Sequence, residues 1–129
     1  MRRLLLVLLL SAGLAQAEDH VHPPKGVVAN TNIAQLCVSG YTATIRPPVS
    51  YTNGLKKQWV PLGHNPNEYE LDHYIPLALG GAPKDPNNLW LQVWDDAKKK
   101  DQVEAQLHRD VCAGKKTLGE AQDEVTKWR

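Results

Sequence analysis

An acid and a base stand side by side at Asp72-His73, at the end of a strand-like run, and Gly80-Gly81 breaks the chain shortly after. Asn88 opens a second apolar run, and Asp101 follows thirteen residues later. An imidazole with its ordinary pKa near 6.5 exchanges protons with water at neutral pH. Carboxylates hold hard divalent cations, which neutralise charge on a substrate and on its leaving group. Together these groups are the equipment of metal-assisted hydrolysis. An isolated Asp-His pair is more often a hydrogen-bonded pair that steadies a hairpin, so the elements around it carry the case.

The pattern places a first strand over Glu70 to Leu77, a loop over Gly80 to Pro86, and a second strand over Leu89 to Val93. Asp95 and Asp96 stand where an N-cap and first-turn acids belong. The helix they open runs to Cys112, with Val103, Leu107 and Val111 four apart on its buried face and Gly114 as its stop. Thr117 with Glu120 forms a capping box for a last helix that carries Leu118, Ala121, Val125 and Trp128 on one stripe. Upstream, Thr31 caps a short helix with Ile33, Leu36 and Cys37, and Val38 to Ile45 alternates like a strand that Pro47-Pro48 ends. Thr52 to Trp59 reads as a short helix ended by Pro61, although Asn53-Gly54 is also a hairpin-turn signal.

Strand, Gly-Gly loop, Asn-Leu-Trp strand and helix, with Asp72-His73 at one corner and Asn88 at the next, resemble the ββα-metal (HNH) nuclease motif. Further matches run along the chain at Cys37-Val38-Ser39-Gly40-Tyr41-Thr42, Arg46-Pro47-Pro48, Asp72-His73-Tyr74-Ile75-Pro76-Leu77, Asn88-Leu89-Trp90, Lys100-Asp101, Val111-Cys112-Ala113-Gly114 and Ala121-Gln122. Together they are similar to a family of small exported bacterial proteins described as HNH-nuclease-like, over most of the chain beyond its leader.

The resemblance implies that His73 is the general base and Asp72 a metal ligand, with Asn88 hydrogen-bonding across the hairpin to fix the imidazole tautomer. Adjacent strand residues face opposite ways, so Asp72 and His73 serve one site only where the strand twists or bulges. Better-known members carry His or Asn on the helix where this chain has Ala97, nine residues after Asn88. Asp101, on the same helical face, is the expected further ligand, with Asp96 in reserve. Pairing of Asp101 with Lys98 or Lys100 is the competing assignment. One divalent ion is implied: Mg²⁺, Mn²⁺ or Zn²⁺.

The N-terminus bounds where such chemistry would occur. Arg2-Arg3, the apolar run Leu4 to Leu10 and Ala15-Gln16-Ala17 form a signal peptide cleaved after Ala17, which implies a periplasmic or secreted protein. The apolar run is far short of the ~20 residues of a spanning helix. Residues 18–30 read as a flexible arm with Pro23-Pro24, and 31–129 as one domain. Without Arg2 and Arg3, 13 Lys+Arg face 14 Asp+Glu, so the remaining charge is −1. That balance argues against tight nucleic-acid binding, which generally uses a basic face, and leaves room for a weakly binding hydrolase. Only Cys37 and Cys112 are present, and export favours a disulfide between them. Closing so long a loop contributes at most ~4.5 kcal/mol in the chain-entropy model.

Other residues carry weaker readings. Glu18-Asp19-His20 would form a square-planar Cu²⁺ or Ni²⁺ site if cleavage frees Glu18. His64 reads as a solvated loop residue and His108 as a structural residue late in the main helix. Trp59, Trp90, Trp94 and Trp128 read as core, with Trp94 bordering a site.

The expectation is therefore a small single α+β domain built on an HNH-like hairpin-helix unit with additional short helices and one disulfide. The expected function is an exported, monomeric, metal-dependent endonuclease that cuts DNA or RNA with little sequence specificity. The alternative is a non-catalytic HNH-like module that binds another macromolecule in the periplasm.

Overall fold

Two five-residue antiparallel strands, β1 (Tyr69–His73) and β2 (Leu89–Val93), pair with Tyr69 opposite Val93 and His73 opposite Leu89. They belong to a computed structural model that describes residues 19–128; the expected leader at 1–17 lies outside the described residues. Around the pair stand α1 (Ile33–Leu36), α2 (Tyr41–Ile45), α3 (Val49–Trp59), α4 (Trp94–Cys112) and α5 (Leu118–Lys127). The result is a small α+β domain stapled by a Cys37–Cys112 disulfide. No helix among the described residues is long and apolar enough to cross a membrane.

The first strand stops at His73, four residues short of the expected Leu77, and Asn88 is the reason. Tyr74 N still donates to the Asn88 carbonyl at 2.8 Å. At Ile75 the Asn88 side chain replaces the ladder: Oδ1 accepts from Ile75 N at 2.9 Å, and Nδ2 donates to Ile75 O and to Ala82 O, both at 3.0 Å. One fully buried amide thus fastens both ends of the 75–82 loop. Gly80-Gly81 makes the close approach possible. Gly80 has φ +87° and Gly81 lies against Ile75 O, so a Cβ there would fall 1.7 Å from that oxygen.

This loop also contributes to the core through Ile75 and Leu79. Leu36, Ile75, Leu79, Leu107, Val111, Leu118, Ala121 and Val125 form one buried cluster, with Val103 and Tyr41 packed against it. The four-residue spacing of Val103, Leu107 and Val111 therefore faces inward as the periodicity predicts. Gly114 (φ +73°) ends the turn after α4, and Thr117 Oγ1 accepts from Glu120 N to start α5.

Several local expectations give way to tertiary context. Val38 to Ile45 is not a strand. Gly40 (φ +80°) turns the chain out of α1 and directly into α2, so no sheet edge is there for that segment to pair with. Asn32 rather than Thr31 caps α1, its Oδ1 accepting from Gln35 N. Val93 is the N-cap of α4, while Asp95 and Asp96 fall in its first turn.

The arm expected to be loose is tied down between residues 19 and 30. Val28 bridges Gly81, Gly26 N donates to Asn87 O, and Leu91 N donates to His20 O, which covers the free edge of β2. His20 also stacks on Trp59 with ring centroids 3.7 Å apart. The tryptophans are not the core: none is among the buried residues, and Trp94 is 42 % exposed with Nε1 donating to Asn67 O. Leucine, isoleucine, valine and alanine fill the interior instead.

Candidate metal centre

Alternation along β1 places Glu70 and Asp72 on one face, the face that α4 crosses. From α4, Ala97, Lys100, Asp101 and Glu104 turn toward it at helical spacing. Ala97 is 1 % exposed, so the small side chain that breaks the expected ligand pattern is what lets the helix lie close to the strands. Asp101 lies one turn further on and meets the strand carboxylates. Oxygens of Glu70, Asp72 and Asp101 come within 4.8 Å of one another. Donors on opposite sides of one oxygen-bound cation stand about 4–5 Å apart.

Lys100 organises this cluster from beneath. It is 1 % exposed, and its Nζ donates to Asp72 Oδ2 at 2.6 Å, to Glu104 Oε1 at 2.5 Å and to the His73 carbonyl at 2.9 Å. All three ammonium donors are used, as a buried charge requires. Burial alone would lower the Lys100 pKa, but Asp72 and Glu104 outweigh it and raise it, so the side chain stays a cation.

A cavity of about 260 Å³ opens beside the cluster, and Thr42, Arg46, Glu70, Asp72, His73, Asp101 and Glu104 line it together with Pro76 to Ala78. Four carboxylates there face two cations, Lys100 and Arg46. Burial, aided by Asp72 and Asp101, pushes the Glu70 carboxyl up to about 7. Burial also raises Glu104, against the pull of Lys100, and raises Asp101. Protons thus relieve the repulsion of clustered carboxylates. Glu70 Oε2 is buried and has no hydrogen-bond partner among the described residues. A carboxylate oxygen left bare beside two others is a donor set suited to a hard divalent cation.

His73 sits at the strand end, where it lines the same cavity despite its opposite alternation. Its Nε2 donates to the Pro83 carbonyl at 2.9 Å, which leaves Nδ1 as the lone-pair nitrogen. Burial lowers its pKa below 6.5, so the ring is neutral at pH 7. The sequence-based assignment of the ring's orientation to Asn88 is corrected here. The Asn88 amide is spent on Ile75, Ala82 and Val27, and a backbone carbonyl fixes the tautomer instead.

Asp72 and Asp101 are brought together as expected. Glu70 and Glu104 were given no role at the site by sequence reasoning, while Lys100 and Arg46 appeared there only in matching motifs and, for Lys100, as a partner of Asp101. Glu70 was legible as the residue two before Asp72, hence on its face, and Lys100 with Glu104 as an i, i+4 pair. Arg46 reaches the cavity from the end of α2, and its only signal in the sequence was the Arg46-Pro47-Pro48 match. Its guanidinium makes no hydrogen bond or ion pair among the described residues. Asp96 lies away from this cavity, in the lining of another. His64 is an exposed loop residue, as expected, and its Nδ1 lies 3.2 Å from Glu68 Oε2.

Comparison of the chain with protein-family models, with curated proteins and with solved structures finds no match.

Proposed function

We propose that this protein is a metal-dependent endonuclease of the HNH-like ββα-metal kind, acting on the phosphodiester backbone of DNA or RNA outside the cytoplasm. The observation that carries the reading is the convergence of Glu70, Asp72 and Asp101 in a cavity that His73 also lines. Glu70, Asp72 and Asp101 would hold the cation; Glu70 is added to the ligand pair expected from sequence. A divalent cation held there supplies charge neutralisation on the phosphate and on the leaving oxygen.

The chain's own groups do the rest. His73 Nδ1 takes a proton from the attacking water while the Pro83 carbonyl holds the ring in place. Arg46, which lines the cavity and makes no side-chain hydrogen bond among the described residues, binds a phosphate oxygen in the bidentate manner guanidinium favours. Lys100 positions Asp72 and keeps the strand and helix carboxylates from separating. Recognition through one phosphate and no basic groove fits cleavage with little sequence preference. Purified protein should nick supercoiled plasmid with Mg²⁺ or Mn²⁺ and stop on chelation. No cleavage of DNA or RNA with any divalent metal would favour the non-catalytic module, a reading supported by the neutralisation of Asp72 through Lys100.

Two measurements test the ligand set directly. Glu70→Gln and Asp101→Ala should each weaken Mn²⁺ binding in calorimetric titration by more than about 10-fold, the low end of the cost of losing even an outer partner. Their effect on folding should be small, since Asp101 is exposed and Ala suits a helix. Unchanged affinity in Asp101→Ala would remove that residue from the site and leave it a surface partner of nearby lysines, worth a few tenths of a kcal/mol.

The second concerns pH. Protons on Glu70, Glu104 and Asp101 compete with the cation, so Mn²⁺ affinity should rise from about pH 6 to about pH 8 with proton release. The same raised values mean that the metal-free folded state binds more protons than the unfolded chain between about 4.5 and 7. Metal-free stability from these groups therefore falls as pH rises through that window. His73, with its lowered pKa, works in the opposite sense below 6.5 and offsets part of the fall. Calorimetry in buffers of different ionisation enthalpy reads the proton count; affinity independent of pH would count against shared carboxylate ligation.

A further inference from the structure

The Cys37–Cys112 staple has a third donor built against it. His108 precedes Cys112 by one helical turn in α4, and its Nε2 lies 3.5 Å from Cys112 Sγ while donating to the Leu36 carbonyl at 2.9 Å. Cys37 approaches from the end of α1. The two sulfurs and the imidazole nitrogen all lie within 4.8 Å of one another. Cys112 is exposed and Cys37 half-buried, so reductants and ions reach the group from solvent. Nothing in the reading of the acidic cavity uses these residues.

We propose that reduction of the disulfide turns this staple into a Cys₂His site for a soft divalent cation such as Zn²⁺. A small dithiol supplies the reduction: two electrons and two protons pass from it to the Cys37–Cys112 bond, giving two cysteine thiols and the dithiol's own cyclic disulfide. Binding of the cation then releases both thiol protons to solvent, and two thiolates balance its charge. His108 enters as the neutral imidazole once its proton shifts from Nε2 to Nδ1, which frees Nε2 from Leu36. A His and a Cys four apart on one helix are spaced as zinc ligands commonly are, and the exposed side leaves the fourth position to water. Thiolate and imidazole select Zn²⁺ or Co²⁺, whereas the carboxylate cavity selects Mg²⁺ or Mn²⁺, so the two centres are chemically separate. The cation would replace a covalent cross-link between α1 and α4 by a coordinate one.

Thermal melts and Co²⁺ absorption of the whole protein test this. Five samples are needed: oxidised; phosphine-reduced with chelator; phosphine-reduced with Zn²⁺; reduced His108→Ala with Zn²⁺; and oxidised His108→Ala as its baseline. Reduction should lower the melting temperature, and Zn²⁺ should restore most of the loss in wild type. Co²⁺ should give thiolate charge-transfer bands in the reduced protein and none in the oxidised protein, where both cysteines are held in the disulfide. His108→Ala should weaken Co²⁺ or Zn²⁺ binding by about tenfold or more. If reduction unfolds the chain, Zn²⁺ should refold it, read by far-UV circular dichroism. A thiolate–Co²⁺ band without recovered folding, no recovery of the melting temperature, or equal affinity in His108→Ala would each overturn the proposal.

Discussion

His73→Ala is expected to lose cleavage by about 10²–10⁴-fold, the usual cost of removing a positioned general base. The expectation rests on the neutral ring, the Nε2–H bond to Pro83 O and the place of His73 in the lining of the carboxylate cavity. Because His73 is only 8 % exposed, its removal also leaves the Pro83 carbonyl without its donor and a small void. The melting temperature and Mn²⁺ affinity of the variant must therefore be measured beside its rate. The assignment requires that both change far less than the rate does, and that added imidazole restores part of the activity. Wild-type activity in a folded His73→Ala protein would remove His73 as the base. A loss of rate matched by a loss of folded protein would make its role structural.

Asn88→Ala is expected to produce the largest loss of stability of any single polar substitution in the chain. The side chain is fully buried and satisfies Ile75 N, Ile75 O, Ala82 O and, at 3.3 Å, Val27 N. Alanine leaves these groups dry and unpaired at roughly 1–3 kcal/mol each, for a total of about 4 kcal/mol or more. In a domain of this size that corresponds to a fall in melting temperature of about 15 °C or more. Asn88→Asp keeps the Oδ1 acceptor and turns the Nδ2 donor into a second acceptor facing two carbonyls, so it should fare no better. The resemblance to HNH nucleases implies instead that Asn88 acts on the catalytic histidine. A variant of unchanged melting temperature but abolished cleavage would restore that role and refute the anchor described here.

Much of the scaffold follows from local chemistry that a linear sequence displays. The short apolar run at Leu89–Val93, the four-residue spacing in α4, the Gly114 stop and the pair of cysteines each act over a few residues or have only one possible partner. The meeting of Asp72 with Asp101 was expected from the resemblance to the ββα-metal motif, with helix phase placing Asp101 on the face where that motif carries its ligand. Residues 38–45 could not be read this way, since an alternating pattern makes a strand only where a sheet edge exists to receive it. Ordering of the arm at 19–30 likewise depends on a free edge of β2 and on Trp59, both distant in sequence.

The site divides along the same line. Residue types and spacing decided that a histidine and acidic oxygen donors would gather near one hairpin and one helix. Only the tertiary structure decided that Pro83 rather than Asn88 holds the imidazole, that Glu70 joins the carboxylates, and that Lys100 lies buried beneath them. Those outcomes depend on which groups lose water and which partners come within 3 Å when separate segments pack. Desolvation and long-range hydrogen bonding are properties of the packed chain, and no window of sequence contains them.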